Sequence, residues 1–166
     1  MKIFGIVGWK NSGKTTLVAG LVTKLKSRGY SVSTVKHAHH AFDLDQPGRD
    51  SYKHRAAGAQ EVLISSGNRW ALMHELQDEE EFQLDVLLTK MTPVDLVLVE
   101  GFKKEPHAKI ECHRATSELP LIAAQDKTIV ALATDADVGD GGLQTLDLND
   151  VSAVADFIVN HVGLKS

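Results

Sequence analysis

The chain has 166 residues, of which 43% are hydrophobic and 24% charged, with a formal net charge of −4. That length supports one domain with a sizeable core, and the composition excludes a disordered chain. The balance of charge gives no global pull towards nucleic acid, no apolar run reaches membrane-spanning length, and the single cysteine, Cys112, excludes an intrachain disulfide. With an N-terminus that lacks the layout of a secretory signal, these features lead to the expectation of a cytoplasmic protein with no nucleic-acid or membrane partner.

Residues 1–7 are predicted to form a buried strand and residues 14–28 a helix, followed by Gly29, which accepts the left-handed backbone of a C-terminal cap. Between them lies Gly8-Trp9-Lys10-Asn11-Ser12-Gly13-Lys14-Thr15, which fits the phosphate-binding P-loop at every required position and in the required strand-to-helix context. Glycines let such a loop wrap tightly, so that successive backbone N–H groups converge on phosphate at a helix N-terminus. Gly8, Asn11, Ser12, Gly13, Lys14, Thr15 and Thr16 are therefore the candidate nucleotide-binding residues. Lys14 is expected to reach the β- and γ-phosphates, and the Thr15 hydroxyl to ligate Mg²⁺. The bland alternative is a glycine turn with a surface lysine.

A second strand is predicted over 31–36, then a polar, His- and Asp-rich loop to residue 49, broken by Pro47-Gly48, and a short helix over 50–57. Strand-like runs 60–65 and 69–74, separated by Ser66-Gly67-Asn68, suggest a β-hairpin. The acids at 78–81 are expected to open a helix whose apolar face continues through Phe82, Val86, Leu87 and Met91. Residues 94–99 form an almost continuous apolar run, as expected of a central parallel strand. Strands are further expected over 109–112 and 128–133, and Asn149-Asp150 is expected to cap a last helix running to Val162. This order predicts a three-layer α/β P-loop domain spanning residues 1–166, with a mostly parallel sheet and an added antiparallel hairpin.

A P-loop site usually draws a second Mg²⁺ contact from an acid at the carboxyl end of a neighbouring strand. Glu100 ends the 94–99 run, whereas Asp95 starts it, so Glu100 is the candidate, with Gly101 allowing close backbone approach. Asp43 and Asp45 lie where P-loop proteins place a γ-phosphate-sensing segment, and Asp45 is the candidate for aligning a water, although both acids also suit a solvated loop. His37, His39 and His40 suit a transition metal, an anionic ligand or no direct role. The Asn-Lys-x-Asp guanine motif is missing. Asp135 in Thr134-Asp135-Ala136-Asp137 is the first candidate for accepting the guanine N1–H and N2–H groups, Asp137 the second, and both also suit a simple turn. Lys103, Lys104 and Arg114 are either a basic rim for a ligand phosphate or solvated surface charges.

The P-loop, Val35-Lys36-His37-Ala38-His39-His40, the segment from Asp43-Leu44-Asp45 through Pro47-Gly48-Arg49-Asp50-Ser51, Arg69-Trp70-Ala71-Leu72-Met73 and Leu98-Val99-Glu100-Gly101-Phe102-Lys103 occur in an order that resembles the molybdopterin-guanine dinucleotide biosynthesis protein B family. The resemblance runs from the N-terminus to about Lys109 and more loosely beyond it. It implies a GTP- and Mg²⁺-binding adapter that assists a molybdopterin guanylyltransferase, with molybdopterin itself as a further candidate ligand. It also implies a homodimer with intertwined sheets and weak GTP hydrolysis. Gly8, Gly13, Lys14 and Thr15 then carry the family's P-loop and Glu100 its acid, with catalytic roles falling to Lys14, Glu100 and Asp45. Two rival readings stay open: a GTP-dependent metallochaperone using His37, His39, His40, Cys112 and His113, and a small-molecule kinase with ATP preference.

Overall fold

The computed structural model describes residues 1–38, 42–138 and 142–165. Its elements run β1 (Lys2–Val7), α1 (Lys14–Ser27), β2 (Val32–Lys36), α2 (Asp50–Ala56), β3 (Glu61–Ser65), β4 (Trp70–His74), α3 (Leu84–Thr89), β5 (Leu96–Glu100), β6 (Lys109–His113), β7 (Ile129–Thr134), β8 (Gln144–Asp147) and α4 (Val151–Val162), with a 3-10 turn at Ile122–Ala124. By internal packing the chain divides into two compact units, Met1–His37 with Met91–Ser166, and Ala38–Lys90.

In the first unit six strands form one parallel sheet in the order β2-β5-β1-β6-β7-β8. Every residue of β5 is buried, which is why its sequence shows no polar alternation. The two faces of the sheet are nevertheless covered differently. Phe4, Ile6, Leu96, Leu98, Ile110 and Cys112 join Leu17, Leu21 and Leu25 of α1 and Val154 and Ile158 of α4 in the main core. Val7, Ile129 and Leu132 form a smaller cluster with Leu121, Ile122 and Ala123, where the 3-10 turn takes the place of a helix. Burying a side chain such as Leu21 or Ile158 contributes about 1.5–3 kcal/mol, so packing of α1 on the sheet fixes the direction in which its N-terminus points.

Local chemistry ends the elements where the sequence suggests. Gly29, at φ 90°, follows α1; its N–H donates to the Lys26 carbonyl and that of Tyr30 to the Leu25 carbonyl, closing the helix C-terminus. The Asp150 side chain accepts from Ala153 N at 3.0 Å and caps α4. Asp95 sits just before β5 and accepts from the Ser31 N–H (2.8 Å) and hydroxyl (2.6 Å), clasping the starts of β2 and β5. That clasp agrees with a register in which Val32 lies opposite Leu96 and Lys36 opposite Glu100.

In the second unit β3 and β4 pair antiparallel around residues 66–68, as the turn composition predicts. The helix expected from residue 78 does not start there. α3 covers only Leu84–Thr89, because the preceding acids serve the hairpin instead: Glu79 accepts from Gln60 Nε2 at 2.9 Å and pairs with His74 at 3.3 Å. β8 went unforeseen; Gln144–Asp147 contains one partly buried apolar residue, Leu146, and pairs through its backbone along one edge of the sheet.

Candidate functional site

The site gathers at the carboxyl ends of β1, β5 and β6. β1 ends at Val7 and the chain turns at Gly8, whose φ is 148°. A Cβ on Gly8 would collide with the Ser12 hydroxyl and come within 2.5 Å of the Cys112 carbonyl, so only glycine fits there. Asn11 takes the left-handed backbone at φ 62°, a conformation asparagine tolerates, and Gly13 does so at φ 92° as the residue before α1. Leu17 N–H donates to the Gly13 carbonyl, which starts the helical ladder directly behind the loop. The first-turn amides, with Thr15 and Thr16 exposed, are thus presented as an anion site.

Lys14 folds back over this loop. Its Nζ donates to the Trp9 carbonyl (2.6 Å) and the Ser12 hydroxyl (3.4 Å), and burial lowers its pKa, against the influence of the nearby Glu100 carboxylate. Thr15 Oγ1 donates to Glu100 Oε1 at 3.0 Å. Lys36 Nζ, at the end of β2, lies 3.3 Å from the same Glu100 oxygen. The predicted P-loop residues and Glu100 are therefore brought together. A hydroxyl beside a carboxylate is a hard oxygen pair of the kind Mg²⁺ takes, and these two residues fit that ion. Beside them Thr15, Lys36 and Glu100, with Val18, Val22 and Val32, line a groove of about 690 Å³.

Around the loop, Trp9 is held from two sides: its indole N–H donates to the Pro120 carbonyl at 2.8 Å, and the Lys103 ammonium lies 4.2 Å from its ring centroid. Arg114 reaches Gly13 closely enough that a Cβ there would stand 3.2 Å from its guanidinium, while Lys104 is exposed. Phe102, with φ 49°, places its ring 4.8 Å from that of His37, whose N–H donates to the Glu100 carbonyl.

The remaining candidates divide. Asp135 stands at the end of β7 as expected, but its carboxylate already accepts from Arg114 Nη1 (2.6 Å) and Ala115 N (2.8 Å), which lowers its pKa. Asp137 is exposed. Asp43 and Asp45 belong to the second unit. Asp43 makes a bidentate pair with Arg55 (2.7 and 3.1 Å) that takes its pKa down to about 2. Asp45 Oδ1 accepts from the Ser51 hydroxyl (3.0 Å) and Gln46 N (2.9 Å), while its Oδ2 is buried without a hydrogen-bond partner. His39 and His40 lie outside the described residues. Among the described residues no three His, Cys, Asp or Glu side chains gather as a metal site. Cys112 packs into the main core with its pKa pushed up to about 12 by burial, so it is a neutral thiol.

Sequence reasoning missed two participants, Lys36 and Trp9 with its Pro120 partner, while Arg114, a candidate for the basic rim, does lie beside Gly13. Lys36 stood in a quoted motif, but its pairing with Glu100 depends on the β2–β5 register, which sequence does not reveal.

A parallel sheet, a glycine loop running into a helix N-terminus and an acid at the end of the adjacent strand define an α/β P-loop protein. The sequence profile described as Molybdopterin guanine dinucleotide synthesis protein B matches residues 3–135, and the chain belongs to that family. It is 41% identical over 160 residues to the molybdopterin-guanine dinucleotide biosynthesis adapter protein of Escherichia coli K12, covering 95% of this chain and 91% of the relative. The Haemophilus influenzae protein of the same name is 39% identical over 160 residues, with 95% and 88% covered. Among solved structures, the MobB protein homolog from Bacillus stearothermophilus superposes with a TM-score of 0.73 at 26% identity, covering 99% and 100% of the two chains. A crystal structure of molybdopterin-guanine biosynthesis protein B gives 0.74 at 28% identity, covering 96% and 99%.

Proposed function

We propose that this chain is a GTP-binding adapter in molybdenum cofactor biosynthesis, assisting the guanylyltransferase that joins a guanine nucleotide to molybdopterin. The observation that carries the reading is the P-loop itself, closed on the N-terminus of α1 with the Thr15 hydroxyl 3.0 Å from Glu100. The loop amides and Lys14 would hold the β- and γ-phosphates, with Lys14 exchanging its bonds to Trp9 and Ser12 for phosphate oxygens. Thr15 and Glu100 would hold Mg²⁺. When bound, that ion supplies neutralising charge to the phosphate oxygens.

Hydrolysis is proposed to be slow. Arg114, the arginine beside the loop, is tied to Asp135, and transition-state cations supplied as arginine are worth about 10³–10⁵ in rate where they act. Asp45 stays the proposed water-aligning residue by its sequence position in the loop after β2. Guanine selection is assigned to Asp135, held in orientation by Arg114 and Ala115 N. The proposed assembly is a homodimer formed through the hairpin, where Leu63, Trp70 and Leu72 share one face of β3–β4 and are each more than 45% exposed. No helix of the described residues is long and apolar enough to cross a membrane, and action in the cytoplasm is proposed.

Calorimetry with GTP and ATP in the presence of Mg²⁺ tests the nucleotide reading. Binding of GTP by the wild type, weaker ATP binding and loss of both in Lys14→Ala are expected; no heat with any purine nucleotide would refute it. Recovery of a molybdopterin guanylyltransferase from cell extract by wild type but not by Lys14→Ala is expected of the adapter role. Steady-state turnover above about 1 s⁻¹ without a partner would contradict slow hydrolysis.

A further inference from the structure

Glu100 Oε1 is shared by two donors: the Thr15 hydroxyl at 3.0 Å and the Lys36 ammonium at 3.3 Å. This convergence is built into the backbone. Parallel pairing of β2 with β5 sets Lys36 opposite Glu100, so both side chains leave the sheet on the same face. The two partners differ in how firmly they are held. Glu100 is 8% exposed and fixed at the end of a wholly buried strand, whereas the Lys36 side chain is 59% exposed. An exposed ammonium on a buried carboxylate is a pair that can open without disturbing the core.

We infer that Lys36 is the internal counter-cation of Glu100: it neutralises this carboxylate when no divalent cation is bound and competes with Mg²⁺ for it. The inference rests on the proposed nucleotide reading of the same site. Without Lys36, an uncompensated carboxylate would stand beside the triphosphate and repel it. With Lys36, a divalent cation entering between Thr15 and Glu100 meets a like charge that must swing away into solvent. Lys36 therefore couples nucleotide affinity to the metal concentration, favouring GTP binding at low Mg²⁺ and weakening the hold on the ion. Because the ammonium is partly solvated, the effect on each equilibrium is about three- to tenfold rather than larger.

The test is binding of a fluorescent GTP analogue to the full chain, in EDTA and along a Mg²⁺ titration. Wild type is compared with Lys36→Met, Lys36→Gln and Lys36→Arg. In both neutral variants, nucleotide affinity in EDTA is expected to fall about three- to tenfold, while the Mg²⁺ concentration at half-effect drops by a similar factor. Lys36→Arg, which keeps the charge, is expected to follow wild type. Neutral variants that match wild type overturn the inference, and so do variants that lose affinity equally with and without Mg²⁺, the mark of a plain phosphate ligand. Unchanged metal dependence with lowered thermal stability also overturns it, since Lys36 would then be only a strut between strands. A wild type that binds no nucleotide under any condition refutes the nucleotide reading itself, a result distinct from all of these.

Discussion

Glu111 offers a test of how the far face of the sheet supports the P-loop. Its side chain is fully buried on β6, and its two carboxylate oxygens accept from Ile122 N at 2.9 Å and Ala123 N at 2.8 Å. These amides begin the 3-10 turn, where N–H groups lack partners of their own. Pro120, two residues before that turn, supplies the carbonyl that holds the Trp9 indole. In Glu111→Ala both amides lose a charged acceptor in a buried place. At about 1.5–3 kcal/mol for each hydrogen bond to a charged group, the expected loss is about 3–6 kcal/mol. Against a typical stability of about 5–15 kcal/mol, that is enough to leave a visible unfolded fraction in mild urea. Glu111→Gln keeps one acceptor oxygen and is expected to lose about half as much. Urea denaturation followed by circular dichroism gives both values from the midpoints and slopes. Glu111→Gln, being folded, should also show a shifted Trp9 emission as the 120–124 segment loosens. A Glu111→Ala variant within about 1 kcal/mol of wild type would refute the role assigned to this carboxylate.

Three further outcomes are expected. Gly8→Ala forces a Cβ against the Cys112 carbonyl at a positive φ, so it should destabilise by about 1–3 kcal/mol and weaken GTP binding more than tenfold by calorimetry. Asp150→Ala removes the α4 cap and should cost about 1 kcal/mol in urea denaturation, with GTP affinity unchanged. The pKa of His74 is raised above its ordinary 6.5 by its hydrogen bond to Glu61, with Glu79 adding to the effect. Its stabilising contribution to the hairpin is therefore complete below about 6.5 and fades as pH rises through the folded-state value. An NMR titration of the His74 ring should show the raised value in wild type and a lower one in Glu61→Gln.

Much of the first unit was legible because its signals are local. The P-loop has fixed spacing, Gly29 and Asp150 mark helix ends by backbone chemistry, and β5 announces burial on both faces by its unbroken apolar run. Glu100 could be preferred to Asp95 from position alone, and the structure explains the other acid as a clasp on Ser31. What escaped depends on partners distant in sequence. β8 carries almost no apolar signal because it forms through backbone pairing at a sheet edge. The acids at 78–81 suit a helix start by charge, yet Glu79 answers to Gln60 and His74 across the hairpin. The contact that orients Asp135 comes from Arg114, 21 residues away in sequence, and no local pattern announces it. Asp43 likewise reads as a ligand candidate until Arg55 takes both its oxygens.

The lone thiol has a practical corollary. Cys112 is 1% exposed and sealed between sheet and helices directly behind the phosphate loop. A maleimide or disulfide reagent can reach it only when that wall parts, so the labelling rate is a stopwatch on breathing of the unit that carries the P-loop. Nature has thus installed a tagging site that needs no engineering, and a ligand that grips the loop should slow its clock.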